Sequence, residues 1–236
     1  MMPFYRGYFG FDPTYLLVIA GALLSMWASA RVNGTFQKYS QVQSRTKMTG
    51  ADAARQILRS QGIFDVTVRG VRGQLTDHYD PRTKTVNLSE SVYGQTSVSA
   101  IGVAAHECGH AIQDHVGYVP LRLRAAFVPV ANLGSTLSWP LILLGLVIGL
   151  TPFIQVGIWM FVLALMFQVI TLPVEFNASG RAVNLLGQIG ILQGQEVDYT
   201  KKVLGAAALT YVAAVAASVL QLLRLLILFG GRRNDD

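Results

Sequence analysis

The chain has 236 residues, of which 52% are hydrophobic and only 14% charged, and its mean hydropathy is positive; a water-soluble domain of this size does not keep so much apolar surface in solution. The formal net charge is +6, but no basic run or aromatic-interleaved motif accompanies it, so a nucleic-acid partner has no support. The single cysteine, Cys108, excludes an intramolecular disulfide and gives no sign of an oxidising compartment.

Residues 1–31 hold an aromatic stretch (Phe4, Tyr5, Tyr8, Phe9, Phe11) suited to a membrane interface, then an apolar span over 15–30. Ala28-Ser29-Ala30 matches a signal-peptidase site, so a cleaved signal is the alternative. The lone Arg6, offset by Asp12, is unlike a basic signal start and favours an anchor. Residues 32–132 read as a small α+β unit. Thr49 is placed to cap a helix through Asp52, Ala53, Ile57 and Leu58 that closes near Gly62. Residues 64–69 alternate as a strand, 80–83 form a turn, and 84–88 read as a second strand. A helix follows over 97–115, with Val98, Ile101, Ala104, Ala105, Cys108 and Ile112 on its apolar face and Gly117 placed to end it.

Residues 118–136, which carry Leu121, Leu123, Phe127 and Val130 beside Arg122 and Arg124, read as a helix lying on the membrane surface. The stretch 133–173 is a transmembrane hairpin whose two spans are split by a short uncharged link near 151–155, so both outer ends emerge on one side. Residues 174–202 read as a helix starting after Pro173 followed by a Gly- and Gln-rich loop, and 203–236 as a last span and tail. Gly145 and Gly149 form a GxxxG pair suited to close helix packing, within one chain or between copies. Arg31, Lys38, Arg45, Lys47, Arg122, Arg124, Arg181, Lys201 and Lys202 flank the spans on one side, against Arg6, Arg232 and Arg233 on the other. The positive-inside bias predicts the richer side to be cytoplasmic.

One motif outweighs the rest. His106-Glu107-Cys108-Gly109-His110 spells H-E-x-x-H, and four-residue spacing on a helix puts both imidazoles on one face, where they can share a Zn²⁺ ion with Glu107 beside the attacking water. A core helix that merely carries these groups would bury charge and imidazole without a ligand, at a cost in stability. Cys108 sits off the ligand face as a small apolar residue. Catalytic zinc needs a third protein donor. Glu175 lies beyond the hairpin on the same side as the motif and is the favoured source; a carboxylate that only complements a helix dipole is the alternative. Glu196 and Asp198 sit in the predicted loop, and His115 points off the ligand face as a surface histidine.

Taken together, His78-Tyr79-Asp80-Pro81, Val86-Asn87-Leu88-Ser89, the run from Val103 through the motif to Gln113, and Leu172-Pro173-Val174-Glu175-Phe176 resemble the bacterial membrane-bound neutral zinc metallopeptidase family, over nearly the whole chain. The resemblance implies a gluzincin-like site with one Zn²⁺, His106, His110 and Glu175 as ligands and Glu107 as general base. Asn177 stands where the family pattern has an acidic residue or Asn, and Gly180 where it has a basic one. The expected fold is an α-helical membrane protein of about four transmembrane helices with a zincin-like α+β domain inserted between the first and second spans. The expected partners are the lipid bilayer and a peptide or membrane-protein substrate, in a bacterial cytoplasmic membrane with the site on the cytoplasmic face. His78, Tyr79, Asn87 and Arg181 are candidates for substrate or oxyanion contacts, and the strand over 84–88 for pairing with an extended substrate. Three rivals remain: a catalytically silent zinc scaffold, a purely structural membrane protein without metal, and an intramembrane protease, the last disfavoured because Gln113, Asp114 and His115 follow the motif.

Overall fold

The structure, a computed structural model, describes residues 12–230; the N-terminal aromatic stretch and the last arginines lie outside them. Among the described residues, six helices and three strands follow in the order α1 (Tyr15–Ser40), α2 (Gly50–Ser60), β1 (Thr67–Val71), β2 (His78–Asp80), β3 (Thr85–Ser89), α3 (Val98–His115), α4 (Val119–Ile148), α5 (Thr151–Gln188) and α6 (Gln195–Phe229). Among the described residues, α1, α4, α5 and α6 are long and apolar enough to cross a membrane. Their outer faces expose Leu16, Leu23, Trp27, Val147 and Trp159, a surface that lipid covers at no hydration cost.

Local chemistry explains the short elements. Thr49 caps α2 in a reciprocal box, its hydroxyl accepting from the Asp52 N–H while the Asp52 carboxylate accepts from the Thr49 N–H. Gly62, at φ +70°, follows that helix. Ser97 caps α3 by accepting from the Ala100 N–H, and Gly117, at φ +64°, turns the chain as the Tyr118 N–H returns to the Gln113 carbonyl. The sheet order is β1-β3-β2, with β1 parallel and β2 antiparallel to β3. The first strand therefore begins three residues later than the alternation over 64–69 predicts, and Phe64 is left 81% exposed.

Four expectations change. Residues 118–136 do not form a separate surface helix: α4 runs unbroken from Val119 through Pro129 and Pro140 to Ile148. The hairpin link is only Gly149 and Leu150, with Gly149 at φ +74°. Pro173 ends nothing, since α5 continues through it from the hairpin to Gln188. A membrane-length helix tolerates an interior proline because neighbouring helices hold its axis. Finally, Glu196 and Asp198 lie in the first turn of α6 instead of a loop, and buried Glu196 accepts from the N–H groups of Arg45 and Gln193.

The helices are longer than a bilayer requires. At 1.5 Å per residue α5 extends about 57 Å against a hydrocarbon thickness of about 30 Å. Its excess must lie at the C-terminal end, because its N-terminus is tied to α4 by the tight link. There Ala182 and Leu186 join Phe36 and Tyr39 of α1, Val203 and Leu204 of α6, and residues of α2, β3 and α3 in one buried core. That shared core fixes α3 against the projecting ends of the long helices.

Candidate metal centre

Two ligand candidates come from α3 and the third from α5. Nε2 of His106 lies 3.3 Å and Nε2 of His110 lies 3.6 Å from Oε2 of Glu175, and the three donor atoms fall within 4.8 Å of one another. The helices approach this closely because Gly109, between the two histidines, has no side chain: a Cβ there would stand 2.6 Å from the Ala178 carbonyl oxygen. Gly109→Val is therefore expected to push α3 off α5, lowering the thermal midpoint by an overpacking penalty of roughly 1–3 kcal/mol and zinc content with it. Gly180→Ala, with nothing within 4 Å of its Cβ, serves as the tolerated control. Equal zinc content and melting in both variants would show that the close approach does not set the site.

The surroundings fit a cation. Glu175 is 4% exposed, and its Oε2 has no hydrogen-bond partner although it faces two imidazole nitrogens. Leaving such an oxygen buried is costly unless a positive species completes it. Each imidazole uses its other nitrogen elsewhere: His110 Nδ1 donates to Gln113 Oε1 at 3.0 Å, and His106 Nδ1 lies 3.1 Å from the Ser179 hydroxyl. The Gln113 carbonyl only accepts, so the His110 proton belongs on Nδ1 and the Nε2 lone pair points inward. Burial opposes a charged His110, yet the adjacent Glu175 carboxylate and the charge of Glu107 outweigh it and raise its pKa. Arg124 donates to Glu175 Oε1 at 2.9 Å and holds the carboxylate so that its second oxygen faces the histidines.

Behind His110 the polar chain continues. Gln113 donates to the Val174 carbonyl and to Asn177 Oδ1, which also accepts from Arg181 Nε. Asn177 thus reaches the ligand face through Gln113, and Arg181 braces Asn177 without lining either cavity at the site. Cys108 is fully buried, and burial pushes its thiol pKa up, as for a packing residue. His115 is exposed.

Two cavities meet at the centre and share Asp77, His106, Glu107, Glu175 and Tyr211. One, of about 340 Å³, is bordered by His78, Tyr79, Asp114, Arg122 and Arg124. His78 lines it while resting on the Thr76 carbonyl and the Asn87 amide, which itself lies outside it. The Tyr79 hydroxyl is committed to Asp114. The strand 84–88, expected to pair with substrate, is the central strand β3, bonded on both edges and closed to any peptide. The strand bordering the cavity is β2, which pairs with β3 alone among the described strands. Gln113, Ser179, Arg124 and Tyr211 were not singled out from sequence for this site. Gln113 and Ser179 carried a local signal, lying one helical turn from His110 and from Glu175 respectively.

Residues 14–230 match the family described as "Putative neutral zinc metallopeptidase". The chain belongs to this family. It is 47% identical over 220 residues to the "Putative membrane protease YugP" of Bacillus subtilis (strain 168), a match covering 93% of this chain and 98% of that protein. No solved structure matches. Family membership agrees with the four membrane-length helices and with the donor set of two imidazoles and a carboxylate, which suits zinc.

Proposed function

We propose that this protein is a membrane-anchored zinc peptidase in which His106, His110 and Glu175 hold one Zn²⁺ and Glu107 is the general base. The observation that carries the reading is the buried, unpartnered Oε2 of Glu175 beside two inward-facing imidazoles, in a member of a zinc peptidase family. When bound, zinc supplies Lewis acidity, activating a water and polarising the scissile carbonyl. Glu107, 7% exposed and lining both cavities, takes the proton of the attacking water and delivers it to the leaving amine. Tyr211 lines both cavities too, and its phenol is the neutral donor best placed to stabilise the developing oxyanion, since the Tyr79 and Arg181 donors are engaged elsewhere. The outer edge of β2 takes the role expected of 84–88, pairing with the backbone of an extended substrate.

Depth favours substrates at the membrane surface. Glu175 lies about 36 Å along α5 from Thr151, and Tyr211 about 27 Å along α6 from Phe229, so the site sits where a 30 Å hydrocarbon layer gives way to headgroups. Peptide segments emerging from a bilayer reach this level, and the basic residues around it support a reading in which it lies on the cytoplasmic face of a bacterial cytoplasmic membrane. Full-length protein in lipid nanodiscs is expected to carry about one zinc per chain and to cleave casein or a membrane-anchored peptide. A chelator should abolish cleavage and Zn²⁺ restore it. Zinc-loaded protein that cleaves neither substrate would favour the silent scaffold.

A further inference from the structure

The second cavity at the centre, of about 230 Å³, differs in chemistry from the first. Away from the shared residues its walls are mostly apolar, including Val32 and Phe36 of α1, Val103 of α3, and Val203 and Ala207 of α6, with Ser179 of α5 as the polar exception. On α6 the lining residues Val203, Leu204, Ala207, Ala208 and Tyr211 recur at three- and four-residue steps, so one face of the helix forms the wall. No arginine or lysine borders this cavity. The charges that do are acidic: Glu107 and Glu175 at the site, and Asp77, whose carboxylate is bonded to the Ser89 N–H and hydroxyl. Space exists because positions 207 and 208 are alanines. Ala207 is only half-buried, so its methyl borders open volume instead of packed neighbours.

Resting on the peptidase reading, we propose that this cavity is the subsite for a large apolar side chain, such as Leu, Met or Phe, flanking the scissile bond, and that Ala207 sets its depth. A chain lying along β2 with its carbonyl at the ligand set has this cavity next to the bond to be cut. An apolar side chain there leaves water for a matching wall. An acidic one meets the Asp77 and Glu107 carboxylates and loses its hydration with no lysine or arginine in the wall to pair with it. The first cavity, where Arg122, Arg124, His78 and Asp114 stand, takes the more polar neighbours, which gives the substrate a direction across the site.

The test uses the zinc-loaded full chain in nanodiscs and peptides that differ only at the residues flanking the cut. Wild type is expected to favour Leu or Phe over Ala by about 10–100-fold in kcat/KM and to reject Asp more strongly. Ala207→Phe should bring the Leu-to-Ala ratio to about one or below, with zinc content and thermal midpoint kept, while Val32→Ala should raise the Phe-to-Leu ratio. Binding gives a second readout: zinc-loaded Glu107→Gln should hold the Leu peptide tighter than the Asp peptide, and adding Ala207→Phe should erase the difference. A wild-type enzyme indifferent to the flanking residue, or an Ala207→Phe variant with its selectivity intact, overturns the subsite. If no peptide is hydrolysed but the binding preference and its loss persist, the peptidase reading fails and the pocket stands; if the preference is missing as well, the pocket falls too.

Discussion

Glu107→Gln is expected to keep its zinc and lose peptide hydrolysis, with kcat/KM lower by about 10³-fold, within the 10²–10⁴-fold range of a positioned acid–base group. The amide matches the carboxylate in size, so neither cavity wall nor α3 packing changes; what goes is the ability to accept a proton. Glu107 is buried beside His106 on the same helix but is not among the three groups whose donor atoms converge. Metal binding and turnover should therefore separate in this variant. The measurement pairs zinc per chain with initial rates on a quenched peptide. Rates within a few-fold of wild type would remove Glu107 from the reaction, while loss of both zinc and activity would move it into the metal shell.

Glu175→Ala is the complementary experiment. It removes the sole carboxylate among the three converging groups and leaves the Arg124 guanidinium facing two imidazoles, so like charge takes the place of a ligand. Zinc affinity should fall by more than about 100-fold, beyond the 10–100-fold typical of groups that only orient a ligand. Arg124→Ala, which frees Oε1 and keeps Oε2, belongs in that smaller range. Competition with a chelating dye reads both. If Glu175→Ala holds zinc as tightly as wild type, the third donor lies elsewhere. Glu196 is then a poor substitute, because its two oxygens are already bonded to the Arg45 and Gln193 N–H groups.

The converging groups were legible in the sequence for different reasons. His106 and His110 announce themselves through helical spacing on a single element, a local rule that needs no tertiary information. Glu175 could be named because the chain has few carboxylates and a hairpin must return to the side it left. The Arg124 support was hidden: it meets Glu175 from 51 positions away in sequence, and no spacing rule links such a pair, whereas Ser179 stands one helical turn from Glu175. Proline misled at Pro173, because a rule for helices in water was applied where packed neighbours stabilise the helix, and at 118–136 the mixed apolar and basic pattern read as a surface helix belongs to the start of α4. Strand order was out of reach as well: alternation marks 84–88 as a strand but does not show that β1 and β2 flank it.

The unbroken course of α5 has a mechanical consequence. One rod joins the far boundary of the bilayer to the carboxylate that faces the imidazoles, while those imidazoles ride on a helix seated in the core above. A membrane thicker or thinner than the hairpin prefers is met by helix tilt, and a tilt of a few degrees over some 36 Å moves the rod's upper part by an ångström or more. Lipid composition thereby becomes an input to how well the coordination shell closes, with the Gly109–Ala178 contact as the pivot against which the rod leans.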